Sequence, residues 1–541
     1  MTTPASPAPS VHELEAQRRA NREAVAKLGL TPYGVAVKEL SSMEVARQKF
    51  DAEADARYNE AQTKAREAAK AGGGGAPASV RDDRPVVTVA GRVMLRRPGG
   101  KLIWMNLRDD TGDLQIAVSA KDCDEAGFKL AELTDLGDVL VATGPLMKTK
   151  TGEVTVWCSS LRPASKCLVP PPEKHAGLVD IELRYRQRYV DLWANPETIA
   201  TFKMRSNLIS RIRRHLDQRG FLEVETPMLQ TLAGGAAARP FVTHMNALDI
   251  NLFMRIAPEL YLKRLLVGGL PRVYEINRNF RNEGLDKRHN PEFTMMEIYW
   301  AYADARSMMD LVEGLIRELA STVAMARQDA GAPAAEGALP SELKLPFGDW
   351  LIDYGSPFVR VSYGELFKQA LGFPMDFTPR VHEEARKRGV KVTNEKGEAL
   401  ADVLIVNELF ENFAEPTLDH TRPTFITDYP SAISPLTRPR PDNPALADRA
   451  DLFIGGMEVA PIYTELNDPD IQEAKFREQL AGGNDEESTF RTYDADFVNA
   501  LKVGMPPAGG LGLGIDRLVM LLCNQATIRD VVLFPLMRPQ A

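Results

Sequence analysis

Polar and apolar residues change rhythm several times along these 541 residues, and each change predicts a different kind of element. Residues 11 to 70 are rich in Ala, Glu, Arg and Lys and carry few breakers apart from Leu30-Thr31-Pro32-Tyr33-Gly34, which predicts two helices around a turn. A solvated charged pair is the simple account of them, and a mildly basic face near nucleic acid is the alternative. Ala71-Gly72-Gly73-Gly74-Gly75-Ala76-Pro77 reads as a flexible linker. From Val86 the pattern becomes short alternating runs: VVTVAGRVMLRR, KLIWMNLRDD, LQIAVSA, DVLVATGPLMKT and EVTVWCSSLR, with turn signals at Gly99-Gly100, Thr111-Gly112 and Thr151-Gly152. Pro170-Pro171-Pro172 closes this part. A helix then runs from about Ile199 to Arg219, with Phe202, Leu208, Ile209, Ile212 and Leu216 forming its apolar stripe. Gly220 ends it, and Phe221 to Thr226 reads as a strand stopped at Pro227. Residues 327 to 341 read as a surface loop.

The expected organisation is a helical extension with linker (1–80), a five-stranded barrel (81–170) and one large α+β region (174–541). An OB-fold is the leading five-stranded barrel of this length. Such barrels bind single-stranded nucleic acid by stacking bases on aromatic rings. Trp104 is the natural platform, with a core tryptophan as the equal alternative on sequence grounds.

Composition narrows the class. Hydrophobic residues at 44% and charged residues at 26% are those of a soluble globular protein, and no apolar stretch approaches the ~18 residues that would cross a bilayer. The N-terminal residues have no apolar core of the secretory kind. The four cysteines (Cys123, Cys158, Cys167, Cys523) make no CxxC pair and no cluster with His at metal spacing, which points to reduced thiols in the cytoplasm. A formal net charge of −8 does not advertise a nucleic-acid binder, although it leaves room for a local basic surface.

Most of the chemistry lies in the 28 residues RVYEINRNFRNEGLDKRHNPEFTMMEIY, Arg272 to Tyr299. Alternation predicts Arg281 and Glu283 on one face of a first strand, a polar loop with Lys287, Arg288 and His289, and a second strand after Pro291 whose one face holds Phe293, Met295, Glu297 and Tyr299. A guanidinium, two carboxylates and an aromatic ring around one surface suit a ligand that is polyanionic at one end and cationic at the other. Near the C-terminus, Ala508-Gly509-Gly510-Leu511-Gly512-Leu513-Gly514-Ile515-Asp516-Arg517 predicts a strand that lets a ligand approach its backbone, followed by a helix with Arg517 in its first turn. It is neither a dinucleotide fingerprint nor a P-loop, and alone it reads equally well as a close-packed strand. Asp451, Glu458 and Glu465 are oxygen donors of the type that holds Mg²⁺ against a triphosphate, or simply a solvated acidic face.

Together these motifs resemble motifs 2 and 3 of the class II aminoacyl-tRNA synthetases, with the helix and strand ending at Pro227 similar to motif 1, the dimer element. GGAAARPF (Gly234–Phe241), APELYLKRL (Ala257–Leu265), FRNE, RHNPEFTMMEIY and TELND are similar to the bacterial lysyl-tRNA synthetase family, over roughly residues 10 to 541. The resemblance implies an OB-fold anticodon-binding domain and an antiparallel-sheet catalytic domain flanked by helices. It implies a cytoplasmic homodimer that uses ATP, lysine, Mg²⁺ and tRNA(Lys).

Roles follow from the same resemblance. Arg281 and Arg517 would be catalytic, with Arg281 bridging the α-phosphate and the amino acid carboxylate. Glu283, Phe293, His289 and Arg517 would hold ATP, and Asp451 and Glu458 would hold the metal. Gly235, Glu259, Arg281, Glu297, Tyr299, Tyr463 and Glu465 would hold lysine, the α-ammonium at Glu259 and Gly235 and the ε-ammonium at Glu297, Glu465 and Tyr299. Trp104, Gln115, Glu153 and Arg92 would contact the anticodon. Three positions depart from the family pattern: Pro461 replaces an asparagine, Tyr463 a phenylalanine and Asp451 a glutamate. Two other functions fit parts of the pattern. A protein-modifying paralogue would lack the barrel, and a non-catalytic RNA-binding descendant would have lost Arg281, Glu283, His289 and Arg517.

Overall fold

The computed structural model describes residues 11–71, 80–172, 177–236, 238–329, 343–375, 379–393, 397, 399–481 and 493–540. The Gly-rich linker beyond Ala71 and most of the loop expected at 327–341 lie outside them. The chain divides into two compact units, 1–199 and 200–541.

In the first unit the two expected helices are three: α1 (Val11–Lys27), α2 (Met43–Gln48) and α3 (Ala52–Ala71). The short α2 escapes periodicity because it has fewer than two turns. It is capped by Ser42, whose side chain accepts from the Val45 amide, and it buries Met43 and Ala46 in the barrel core. These helices are therefore not merely solvated; Arg18 of α1 donates to the carbonyls of Leu136 and Cys167, each at 2.9 Å.

The barrel comprises β1 (Val86–Gly99), β2 (Leu102–Asp109), β3 (Gly112–Ser119), β4 (Val139–Lys148), β5 (Val154–Cys158) and β6 (Ser160–Ser165). The fifth expected strand breaks at Ser159, so that β5 pairs with β3 and β4 while β6 continues along β4. Pairing of β1 with both β2 and β4 closes the ring. Helix α4 (Glu125–Leu133), capped by Asp124, fills one end with Leu130 and Ala131. Helices α5 (Ile181–Arg186) and α6 (Arg188–Ala194) complete the unit.

The second unit opens with α7, which begins just before the division (Pro196–Asp217), then β7 (Leu222–Glu223), β8 (Leu229–Gln230), β9 (Val242–Met245), β10 (Ile250–Met254), α8 (Glu259–Val267), β11 (Arg272–Phe280), β12 (Glu292–Ala301) and α9 (Ala305–Asp329). The strand expected over 221–226 shrinks to two residues, Leu222 and Glu223, in register with Val273 and Tyr274 of β11; the Val224 amide makes the last bond to β11, at Tyr274 O (2.9 Å). Next come β13 (Lys344–Phe347), β14 (Trp350–Asp353), β15 (Val359–Ser362), α10 (Tyr363–Leu371), α11 (Pro379–Lys387), α12 (Asp402–Leu409), β16 (Thr424–Thr427), β17 (Arg449–Ile454) and β18 (Met457–Thr464). The chain ends through α13 (Pro469–Ala481), α14 (Ala495–Gly504), β19 (Ala508–Gly514), α15 (Ile515–Cys523) and α16 (Ile528–Val531).

An eight-stranded sheet, in the order β15-β16-β17-β18-β19-β12-β11-β7, organises the unit; it is antiparallel except at its two outermost pairs. One face is apolar. Met296, Ile298, Leu452, Ile462, Leu511 and Leu513 pack there against α7, α9 and α15. Burial of that face leaves the opposite one for polar chemistry, as alternation along each strand requires.

Candidate active site

The pocket is built on the polar face of β12, β19 and β18. Tyr299 lies opposite Gly510, Glu297 opposite Gly512 and Met295 opposite Gly514, while Tyr463 flanks Gly510 from the other side. The three glycines thus make a floor without side chains. A Cβ on Gly512 would stand 2.2 Å from the Met295 methyl, and one on Gly510 would stand 1.8 Å from Glu465 Oε1.

Three carboxyl groups converge above this floor. Glu297 accepts from the Tyr299 hydroxyl at 3.0 Å, and burial, reinforced by Glu259, pushes its carboxyl up to about 8. Glu465, 1% exposed, is pushed up to about 7 by burial against the pull of Lys263. Its Oε1 is buried without a hydrogen-bond partner. Glu259, at the first position of α8, pairs with Lys263 at 2.6 Å, and Gly235 lies against it, a Cβ there standing 3.2 Å from that of Glu259. The positive φ of Gly235 (+85°) suits a residue without Cβ. A buried, acidic, incompletely paired pocket calls for a cationic ligand, because an unpaired buried carboxylate is costly.

Beside it lies a cationic region. Contrary to the alternation argument, Arg281 and Glu283 are not on β11, which ends at Phe280. The Arg281 amide still reaches the Pro291 carbonyl (2.9 Å), but Glu283 N already turns back to Arg281 O (2.9 Å), and Asp286 Oδ1 accepts from the Arg288 and His289 amides. This side-chain-stabilised turn ends the ladder. Glu283 is exposed in the loop. The Arg281 guanidinium stacks over Phe293, 5.2 Å from the ring centroid, with Nε buried and unpartnered. Arg517, in the first turn of α15, donates through Nη1 to the Glu458 carbonyl (2.8 Å), and its Nη2 lies 2.9 Å from His289 Nε2. His289 Nδ1 lies 2.7 Å from Asp286. Burial, then the charges of Arg281 and Arg288, disfavour the charged form of Arg517, and this accumulation of guanidinium groups suits a polyanion.

Asp451 and Glu458 reach one face by way of a bulge. Leu452 pairs with Ala460 but Phe453 pairs with Glu458, so Val459 is left over. Without this extra residue, Glu458, three positions from Pro461, would point to the apolar face; with it, both carboxylates share the polar face. Asp451 is held by Arg449 through Nε (3.0 Å) and Nη2 (2.6 Å), and Arg449 lies between the rings of Tyr429 and Tyr463. Burial, then the charge of Asp451, raises the Glu458 carboxyl above its usual range. Two mutually repelling oxygen donors, Asp451 buried and Glu458 half-buried, fit a hard divalent cation that takes its remaining ligands from phosphate and water. Among the described residues no group of three or more His, Cys, Asp or Glu side chains is placed to hold a metal.

Pro461 stands where β18 pairs with β17 alone, one residue before its ladder with β19 begins at Ile462. Proline is tolerated in this interior strand because the sheet opens there.

In the first unit Trp104, Asn106, Gln115, Thr155 and Trp157 share the outer face of β2, β3 and β5. Trp104 and Trp157 meet edge to face with centroids 6.4 Å apart. The Gln115 amide is fixed at both ends, donating to Glu153 (3.0 Å) and accepting from Thr155 (3.0 Å). Arg92 lies on the same face at the other end, level with Arg108; it donates to the Gly137 carbonyl (2.7 Å) and stacks over Trp193. Trp104 is therefore not a core residue. Sequence reasoning passed over Trp157, Arg449 and Lys263. For Lys263 a signal existed, its place four residues after Glu259 on a helix.

A mixed sheet with an arginine-bearing hairpin beside a glycine strand that leads into a second arginine defines a class II synthetase catalytic domain. The chain belongs to the class II tRNA synthetases: the model of tRNA synthetases class II (D, K and N) matches residues 180–538, and that of the OB-fold nucleic acid binding domain matches 87–164. Among curated relatives, lysine–tRNA ligase of Pseudomonas putida is 49% identical over 462 residues, covering 84% of this chain and 87% of that protein. Lysine–tRNA ligase of Carboxydothermus hydrogenoformans is 48% identical, covering 84% and 89%. The enzyme of that name from Yersinia enterocolitica is 49% identical, covering 84% and 86%.

Proposed function

We infer that the protein is an ATP-dependent lysine–tRNA ligase. The lysine carboxylate attacks the α-phosphate of ATP and pyrophosphate leaves. A ribose hydroxyl at the 3′ end of tRNA(Lys) then attacks the lysyl-adenylate carbonyl, forming the ester and releasing AMP. The observation that carries the choice of lysine is Glu465 Oε1, a buried carboxylate oxygen without a partner beside Glu297 and Tyr299. An ε-ammonium supplies the missing donor, whereas an uncharged or acidic side chain leaves the carboxylates unpaired.

On this reading the protein's work is positioning and charge neutralisation. Arg281 lies between the two substrates, contacting the α-phosphate and the lysine carboxylate. Phe293 stacks on adenine and Glu283 accepts from its amino group. His289 and Arg517 face the polyphosphate. Glu259 and Gly235 take the α-ammonium, Glu297, Glu465 and the Tyr299 hydroxyl take the ε-ammonium, and Tyr463 packs along the methylenes. Asp451 and Glu458 would hold Mg²⁺, which neutralises phosphate charge when bound. In the barrel, Trp104 stacks on an anticodon base and Gln115 reads its edge, with Glu153 orienting the amide and Arg92 adding positive charge at the end of the face.

Leu222, Leu229, Val242, Met245 and Leu248 are exposed apolar residues clustered in sequence on and around β7 to β10, which supports a second copy of the chain as their cover. Among the described residues no helix is long and apolar enough to cross a membrane, and we place the reaction in the cytoplasm, with its tRNA substrate. The deciding experiment is ATP–pyrophosphate exchange with each of the twenty amino acids, followed by charging of purified tRNA. Lysine alone should support both; exchange with aspartate or asparagine instead would overturn the assignment.

A further inference from the structure

Two carboxylates assigned to the amino acid pocket share an ammonium supplied by the protein itself. Lys263 of α8 is completely buried, and its Nζ lies 2.6 Å from Glu259 Oε1 and 2.5 Å from Glu465 Oε2. Its ammonium is 6.0 Å from the centroid of the Phe497 ring, an apolar wall contributed by α14. No other cation is paired with either carboxylate among the described residues. Each carboxylate gives Lys263 one oxygen. The other oxygen of Glu465 stays unpartnered against Gly510.

Charge and geometry together give this arrangement a purpose. Ionised, Glu259, Glu297 and Glu465 carry three negative charges and Lys263 one positive, which leaves two negative charges for the two ammonium groups of one ligand. Glu259 and Glu465 come from different elements, the start of α8 and the end of β18, and repel each other across the pocket. The shared ammonium ties the two side chains to each other. We propose that Lys263 is a positioning and specificity-determining residue, an internal ammonium that clamps Glu259 to Glu465 and so sets the distance between the oxygens that receive the α- and ε-ammonium groups of the substrate. The clamp is a length gauge. It selects a diamino acid with lysine's four methylenes over ornithine, which has three. A buried charge tie of this kind transmits its effect through the carboxylates, so Lys263 itself need not touch the substrate.

The inference rests on the lysine reading, and full-length protein tests the two separately. If the unaltered protein shows no lysine-dependent ATP–pyrophosphate exchange, the lysine reading itself fails. If it does, Lys263→Met, close in volume and uncharged, is compared with it for lysine and for ornithine. We expect the KM for lysine to rise about 30-fold or more, as for loss of one partner of a buried charge pair, with the KM for ATP unchanged. The lysine-to-ornithine ratio of kcat/KM should fall by about tenfold, the scale of one methylene. In a Glu465→Gln background the same change should add less than about twofold, because both substitutions remove one interaction. A preserved lysine-to-ornithine ratio, equal losses for ATP and lysine, or losses that simply multiply with Glu465→Gln would overturn the proposal. Should Lys263→Met not fold, Lys263→Arg, which keeps the charge but changes its reach, is read by the same ratio. Failure of both to fold would make Lys263 a stability residue and would also overturn it.

Discussion

Gly510 and Glu465 share the volume of one side chain. A methyl group on Gly510 would stand 1.8 Å from Glu465 Oε1 and 2.8 Å from Tyr299 Cε1, so the glycine strand and the pocket carboxylate require each other. Glu465 has nowhere to retreat, since Lys263 holds its other oxygen. Gly510→Ala should therefore displace Glu465 by an ångström or more and lower kcat/KM for lysine by roughly 100-fold. Steady-state ATP–pyrophosphate exchange checks this, with circular dichroism confirming the fold.

Arg281 carries the strongest expected effect on the chemical step. Its stack on Phe293 and its unpartnered Nε describe a preorganised donor awaiting an anion. Arg281→Ala should cost ~2.7–4 kcal/mol in the transition state, roughly a 100- to 1000-fold loss in kcat for adenylation. Rapid-quench measurement of lysyl-adenylate formation separates this from weaker substrate binding.

Much of this site was legible in the sequence because strand periodicity is strict. Phe293, Met295, Glu297 and Tyr299 fall on one face of β12 as alternation requires, and Gly510, Gly512 and Gly514 line up beside them. Alternation failed where local hydrogen bonds end a ladder. The turn built on Asp286 takes Arg281 and Glu283 off β11, and nothing in the spacing Arg-x-Glu announces that. It was also silent about Glu458, which the Val459 bulge returns to the polar face. A bulge is a two-strand property, invisible in either strand alone. Lys263 was passed over for a related reason: its second partner, Glu465, is two hundred residues away in the chain.

The elevated carboxyl of Glu297 gives the pocket a pH signature. Held near 8 by burial and by Glu259, it is largely protonated at neutral pH when no ligand is present. An ammonium favours the ionised form, so lysine binding at neutral pH should release a proton, and affinity for lysine should rise with pH up to about 8 and level off above it. Calorimetric titration in two buffers of different ionisation enthalpy measures the release. Glu297→Gln should abolish that part of the pH dependence and impair lysine use far more than ATP binding; an unaltered proton count would remove Glu297 from the ε-ammonium site.

Glu458 is the carboxylate that its bulge brings to Asp451, and the pair is where a divalent cation has most to offer. Glu458→Gln removes one anionic donor but keeps the volume and the β18 backbone that Arg517 Nη1 reads at the Glu458 carbonyl. The Mg²⁺ concentration for half-maximal exchange should rise at least ~10-fold, with restoration of much of the activity at high Mg²⁺. A loss that no Mg²⁺ concentration relieves would instead mark Glu458 as a purely structural anion beside Arg517.

The barrel offers a prediction that separates the two half-reactions. Trp104 is set edge to face against Trp157, whose indole nitrogen donates to Asp122 at 3.1 Å, so the Trp104 ring is braced from one side. Base stacking on such a ring contributes ~1–3 kcal/mol. Trp104→Ala should lower kcat/KM for tRNA charging by roughly 5- to 150-fold and leave lysine-dependent ATP–pyrophosphate exchange unchanged, because exchange needs no tRNA. Trp157→Ala removes only the brace and should cause a smaller loss in the same direction. Equal losses in charging and exchange for either variant would mean that the tryptophan pair supports the fold of the barrel and does not read tRNA.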